Sequence, residues 1–283
     1  MRTVRTVAEL RAALADTRRA GHSIGLVPTM GALHEGHLSL IQRARQECDE
    51  VVVSLFVNPA QFAPTEDLGA YPRDEARDAG LAAEAGADLL FAPPIVEVYP
   101  EGFATTVHVA GVTDPLEGAN RGGAHFDAVT TVVTKLFNMA QPDVAYFGQK
   151  DAQQAAVIRR FVRDLDIPVR VEVCPTVREP DGLAMSSRNA YLDSEERSRA
   201  AALKGSLDAV RDAIQGGDAD PAAAGRAVLA DHGVEPEYLA LVDPDTFLEP
   251  QHPDGDVLVA VAARVGNARL IDNQIVNVNG GRR

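Results

Sequence analysis

The densest chemistry in the chain lies in Pro28-Thr29-Met30-Gly31-Ala32-Leu33-His34-Glu35-Gly36-His37. The string follows a short apolar run and leads into a helical pattern. The spacing His34-x-Gly36-His37 sets two imidazoles at the mouth of a helix. Unbonded N–H groups and the helix dipole favour a phosphate at such a place. Gly31 and Gly36 allow the backbone to approach a ligand closely. Two imidazole donors beside a phosphate can stabilise charge that develops during in-line attack at phosphorus. A lone histidine is more often a cap or a loop residue. Two at this spacing, between a strand and a helix, argue for chemistry. A metal centre would need a third ligand, and none stands nearby in sequence.

Three further strings carry polar groups on loops. Phe147-Gly148-Gln149-Lys150-Asp151 follows a strand-like run and opens a helix. There Gly148 permits close approach of a nucleotide, Lys150 can pair with phosphate, and Asp151 can accept from ribose hydroxyls or simply cap the helix. Gln154 is one helical turn beyond Lys150. Met185-Ser186-Ser187-Arg188 offers two hydroxyls and a guanidinium, a set suited to β- and γ-phosphates and to departing pyrophosphate. Asn58 and Gln61 stand just past the apolar run Val51 to Val57, where their amides suit a hydroxylated acid, although Asn-Pro also starts plain turns.

These groups need a scaffold, and the apolar pattern supplies one. Val7 to Arg19, Leu38 to Glu47, Arg73 to Ala85, Ala128 to Met139 and Ala152 to Asp164 read as helices. Ile24 to Val27, Val51 to Val57, Asp88 to Ala92, Val144 to Phe147 and Val169 to Val173 read as strands. Continuous apolar strands separated by helices indicate buried parallel strands joined by crossovers. The expected class is therefore α/β, a Rossmann-like parallel sheet forming an N-terminal domain. Past about Pro180 the pattern changes. Ser194 to Gln215 is a helix with Ser194 as cap and Gly216-Gly217 as stop, and Pro221 to His232 is a second. Three β-like runs follow: Tyr238 to Val242, Val257 to Val265 and Leu270 to Val278. This predicts a smaller α+β C-terminal domain, with domains at 1–182 and 183–283. The turn-rich stretch Ala63 to Tyr71 is a candidate mobile lid.

Taken together, the strings resemble the pantothenate synthetase (pantoate–β-alanine ligase) family. HxGH marks the nucleotidyl-transferring α/β superfamily that also holds class I aminoacyl-tRNA synthetases. The closer likeness rests on PTMGALHEGH, Phe56-Val57-Asn58-Pro59-Ala60-Gln61-Phe62, Tyr71-Pro72-Arg73-Asp74, Phe147-Gly148-Gln149-Lys150-Asp151 with Gln153-Gln154, and Met185-Ser186-Ser187-Arg188-Asn189. They occur in the family's order and the likeness covers nearly the whole chain. It implies that pantoate attacks ATP to give pantoyl adenylate and pyrophosphate, and that β-alanine then displaces AMP. It gives His37, His34 and Lys150 catalytic roles, with His37 as proton donor. It assigns ATP to Met30, Gly31, Ala32, Leu33, His34, Glu35, Gly36, His37, Gly148, Gln149, Lys150, Asp151, Val177, Met185, Ser186, Ser187 and Arg188. Pantoate falls to Gln61 and Gln154, and β-alanine to Gln61. Mg²⁺ is expected mainly on the ATP phosphates, and a homodimer is implied. One stretch departs from the family pattern Arg-Pro-x-His-Phe. Here Arg121-Gly122-Gly123-Ala124-His125-Phe126 lacks the proline and has one extra residue, which displaces Arg121 from its usual place near the acid's carboxylate.

Composition narrows the alternatives. The chain has 283 residues, 46% of them hydrophobic and 24% charged, enough for a sizeable core without staples. A formal net charge of -14 argues against nucleic acid as a partner, since phosphate-backbone binding needs surplus Lys and Arg. The two cysteines, Cys48 and Cys174, have neither CxxC nor Cys/His metal spacing and fit a reducing, cytoplasmic setting. The N-terminal stretch lacks an apolar signal core and no apolar run is long enough to span a membrane, so no membrane partner is expected. His22, His108, His232 and His252 have no local constellation, and the closing Gly-Gly-Arg-Arg reads as a frayed tail. Two rivals share parts of this pattern. A nucleotidylyltransferase would share HxGH but would want more basic residues for a phosphorylated acceptor. A non-catalytic nucleotide-binding module would bind ATP without turnover.

Overall fold

The structure, a computed structural model, describes residues 1–62, 69, 73–250 and 255–278. The expected lid at 63–71 lies almost wholly outside these residues, as do Tyr71, Pro72, His252 and the closing Gly-Gly-Arg-Arg.

Six parallel strands make the larger sheet: β1 (Arg2–Val4), β2 (Ile24–Thr29), β3 (Glu50–Leu55), β4 (Leu89–Phe91), β5 (Val144–Gly148) and β6 (Arg170–Cys174). Their spatial order is β1-β4-β3-β2-β5-β6, so the winding reverses between β2 and β5. The helices that connect them are α1 (Val7–Ala13), α2 (Ala15–Arg19), α3 (Glu35–Glu47), α4 (Glu75–Glu84), α5 (Ile95–Val98), α6 (Glu117–Arg121), α7 (Gly123–Ala140) and α8 (Ala152–Asp164). β3 and β4 read as continuous apolar runs because both faces of the sheet are covered; Val51, Val52, Val53 and Leu90 are fully buried. Leu38, Leu40, Ile41 and Ala44 of α3 pack onto them.

The second sheet is antiparallel, in the order β7-β8-β9, from β7 (Pro236–Val242), β8 (Asp256–Val265) and β9 (Ala268–Asn277). With α9 (Ser194–Gly216) and α10 (Pro221–Asp231) it encloses its own core, including Leu203, Leu207, Val210, Leu229, Val259 and Val261. By internal contacts the chain divides into two compact units. The first is Met1–Gly148 with Val157–Cys174, and the second is Gln149–Ala156 with Pro175–Arg283.

The α/β reading of the sequence therefore matches the observed architecture, and several limits shift for identifiable reasons. The helix expected over Val7 to Arg19 is two pieces that meet at Leu14, whose buried side chain follows Leu10 at helical spacing and so hides the break. β2 continues through Pro28 to Thr29. Ile24 O accepts from Asp143 N on the β5 side and Thr29 O accepts from Phe56 N on the β3 side. Alternation then turns Pro28 toward β5, beyond the last paired position, Leu26 with Ala145. Its missing N–H costs no ladder bond there. α7 starts at Gly123, ahead of the expected Ala128, and β1 is too short to show a pattern. The cap of α9 is Asp193, not Ser194. Its carboxylate accepts from Glu196 N at 2.8 Å while the Glu196 side chain accepts from Asp193 N at 3.0 Å.

Candidate active site

β2 and β5 flank the point where the winding reverses, the position at which open α/β sheets place ligands outside the carboxyl ends of their strands. The loop leaving β2 turns sharply. Gly31 has φ +91° and Ala32 has φ +52°, a conformation that an alanine seldom adopts without support. The support is Asp78 of α4. Its carboxylate, 1% exposed, accepts from Ala32 N and Leu33 N, each at 2.8 Å. A Cβ on Gly31 would come within 2.9 Å of Leu55 Cδ1 and 3.0 Å of Asp78 Oδ2, so this position needs glycine for space as well as for φ. Nothing in the sequence near Asp78 signals this role, because its partners are far away along the chain.

α3 then begins on the two histidines. His34 is the N-cap, with φ -139° and ψ 173°, and its Nδ1 accepts from Gly36 N at 3.2 Å. His37 Nδ1 accepts in return from His34 N at 3.4 Å. The two rings lie with centroids 4.1 Å apart, tilted by 42°. A ring nitrogen that accepts from a backbone N–H carries no proton, so in the neutral imidazole the proton is on Nε2. The capping reading of these residues is thus realised. The helix end fixes each ring by its Nδ1 edge. The helix begins at Glu35 because this cap sets it, three residues ahead of the expected Leu38.

Past β3, Asn58 is 1% exposed and both ends of its carboxamide are engaged. Oδ1 accepts from Ala60 N at 3.2 Å and from Tyr99 Oη at 3.0 Å. Nδ2 donates to Ala128 O at 3.2 Å and to Gln61 Oε1 at 3.1 Å. The Gln61 carboxamide is thereby oriented with its oxygen toward Asn58. Tyr99 packs edge-on against Phe103, and burial raises its hydroxyl's pKa against the opposing pull of the Asn58 bond. Tyr99 was not among the residues marked by the sequence.

In the second unit, Lys150 and Asp151 share a 3₁₀ turn, Gln149–Asp151, with Lys150 Nζ 3.5 Å from Asp151 Oδ1. Gln153 is buried and Gln154 partly so. The Ser-Ser-Arg string forms the start of another 3₁₀ turn, Ser187–Tyr191, capped by Ser186, whose hydroxyl accepts from Arg188 N at 3.3 Å. Val177 O accepts from Met185 N at 3.0 Å, which ties two of the expected nucleotide residues together. Asn189 Nδ2 holds the turn from beneath by donating to Glu179 Oε1 at 2.7 Å and Ala184 O at 3.1 Å. Arg197 pairs with Glu179 and anchors it in turn.

Arg121 closes α6 and is separated from α7 by Gly122, whose φ of +82° and ψ of 152° suit glycine alone. His125 and Phe126 then fall in the first turn of α7, with Phe126 buried. Among the described residues there is no cluster of three or more His, Cys, Asp or Glu side chains able to hold a metal ion. Among them too, no helix is long and apolar enough to cross a membrane.

Comparison with known proteins points to one family. Residues 2–275 match the family model described as pantoate-beta-alanine ligase. A pantothenate synthetase of Moorella thermoacetica is 53% identical over 283 residues, covering 99% of this chain and 100% of the relative. The crystal structure of pantothenate synthetase from Thermus thermophilus superposes with a TM-score of 0.92 at 52% identity, over 97% of this chain and 99% of that one. The Francisella tularensis pantoate-beta-alanine ligase, solved in complex with beta-gamma ATP and beta-alanine, superposes with a TM-score of 0.80 at 32% identity over 97% of both chains. Neither the nucleotidylyltransferase nor the non-catalytic reading is favoured by these relatives. Sequence and fold are similar along almost the full length, and the chain belongs to the pantoate–β-alanine ligase family.

Proposed function

We propose that the protein condenses pantoate with β-alanine at the expense of ATP, releasing AMP and pyrophosphate through a pantoyl adenylate. The observation that carries this reading is the reciprocal capping of His34 and His37, which fixes both rings by their Nδ1 atoms at the start of α3. Pantoate carboxylate attacks the α-phosphorus, and negative charge grows on the phosphate oxygens as pyrophosphate departs. Alignment and neutralisation govern such a step more than covalent help from the protein. His34 and His37 stabilise the α-phosphate, with His37 as proton donor. Lys150, Ser186, Ser187 and Arg188 take the phosphates and the leaving pyrophosphate. Met30 to Gly36, Gly148, Gln149, Asp151, Val177 and Met185 complete the ATP contacts, and Mg²⁺ is the ion that the phosphates carry. Gln61 and Gln154 hold pantoate, and Gln61 also meets β-alanine. The β-alanine amine then attacks the acyl carbon, the carbon–oxygen bond to AMP breaks, and the amide forms. Two free, buried thiols are consistent with a cytoplasmic location, and the family likeness supports a homodimer.

The test is to mix the purified protein with Mg-ATP and pantoate, with and without β-alanine, and to follow pyrophosphate, AMP and pantothenate. Formation of AMP and pantothenate only when both acids are present establishes the ligase. Failure of pantoate to elicit pyrophosphate or AMP would refute it.

A further inference from the structure

Asp272-Asn273 interrupts β9 at its centre. Both side chains are at least nine-tenths buried, in a strand paired with the largely apolar β8, and both residue types are disfavoured in strands. A local exception of this kind calls for a compensating function. The bonds of Asn273 show what that function is. Its Nδ2 donates to Gln149 O and to Lys150 O, each at 2.9 Å, and its Oδ1 accepts from Gln149 Nε2 at 3.0 Å. The orientation of the carboxamide is settled by these three bonds, because the reversed amide would set two acceptors against its oxygen. Asn273 is itself held. Its N–H donates to Asp272 Oδ1 at 2.8 Å, and Asp272 receives Arg178 through two bonds of 2.6 and 3.0 Å.

The two carbonyls belong to the peptide planes on either side of the Lys150 α-carbon. Fixing the plane before it sets φ, and fixing the plane after it sets ψ, so together they set the direction in which the Lys150 side chain leaves the backbone. We infer that Asn273 is a positioning residue for Lys150, one that holds the lysine in the attitude needed to neutralise phosphate during adenylate formation. This rests on the phosphate role proposed above for Lys150. Asn273 acts through the backbone of Lys150, and no substrate contact is assigned to it. Its influence belongs to the first half-reaction, since the attack of the amine on the adenylate comes after pyrophosphate has left.

The experiment uses the full chain with Asn273→Asp and Asn273→Ala, each alone and combined with Lys150→Ala. Pantoate-dependent pyrophosphate release reads the first step, and single-turnover amide formation from pantoyl adenylate reads the second. Wild-type activity is measured first, so that a failure of the ligase reading is seen separately. The expected result is a loss of about 10–10²-fold in pyrophosphate release for Asn273→Asp, of the size a small misplacement causes. Asn273→Ala should lose less, because it removes the bonds without setting a charge against two carbonyls. The second step should be unchanged, and with Lys150→Ala in place either change should cost less than about twofold more. Equal slowing of both steps, full additivity with Lys150→Ala, or normal pyrophosphate release by both folded variants would overturn the assignment. If the aspartate variant does not fold, Asn273→Ala decides alone by the same criteria.

Discussion

The carboxylate of Asp78 accepts the backbone N–H of Leu33 at 2.8 Å across 45 residues of sequence, and through that bond a helix with no predicted role shapes the loop that presents His34. The same carboxylate takes Ala32 N, so the loop's left-handed turn is held at two successive amides.

Replacement of Asp78 by Asn keeps the shape but turns one acceptor into a donor facing an N–H. Leaving a buried amide unsatisfied costs about 1–3 kcal/mol. Asp78→Asn should therefore melt some degrees below the parent, about 2–4 °C per kcal/mol at this size. It should also lose more than tenfold in kcat/KM, because the loop leads straight into the histidines. Calorimetry with steady-state kinetics tests this, and a normal rate at a lowered Tm would restrict Asp78 to stability.

Tyr99 acts on the Asn58–Gln61 pair, the pair proposed above to meet the acids. Tyr99→Phe removes one of the two donors to Asn58 Oδ1 and leaves the packing against Phe103 nearly intact. The cost to stability should be about 1 kcal/mol. Asn58 then has less reason to keep its amide toward Gln61, and KM for pantoate and β-alanine should rise several-fold with little change in KM for ATP. A rise confined to ATP would remove Tyr99 from acid binding.

The two histidines should separate by capping. His37→Ala should lower turnover by about 10²–10³-fold, the usual loss for a charge-stabilising donor. Its fold should survive, since the bond it makes to His34 N is long, at 3.4 Å. His34→Ala should lose activity and also about 1 kcal/mol of stability, because His34 caps α3. His34→Asn, a good cap without an imidazole, should recover the stability and not the rate. Recovery of both would mean that His34 serves only as a cap.

Burial pushes the Cys174 thiol up from an ordinary 9.0 to about 11, and burial likewise raises Cys48. A raised acid keeps its proton in the fold after the unfolded chain has released it. Its contribution is complete below the unfolded value of 9.0 and falls away as pH rises toward about 11. At about 1.4 kcal/mol per pH unit, the loss is on the order of 2–3 kcal/mol. Urea midpoints measured across that range should fall less steeply in Cys174→Ala than in the parent, and identical slopes would refute the attribution. Neither thiol should react with alkylating reagents at pH 8 while the protein is folded.

The scaffold was readable because its strands are short apolar runs between periodic helices, a local signal that survives without tertiary knowledge. Val51 to Val53 and Leu90 are buried on both faces and say so in sequence. Ends were less readable. The Gly31–Ala32 turn, the start of α3 and the break at Leu14 each depend on bonds between specific atoms, not on residue pattern.

What the sequence by itself determined is which groups are available for chemistry and roughly where each meets an element: HxGH after a strand, Lys150 and Asp151 before a helix, Ser186 to Arg188 in a loop. Those are facts of residue type and spacing, and the family likeness rests on the same facts. Only the tertiary structure decided which residues hold these groups in place. Asp78, Tyr99, Glu179 and Asn273 act through hydrogen bonds to partners far along the chain or on another element. A hydrogen bond of that kind depends on a distance of about 3 Å and on direction. Neither is set until the chain has packed.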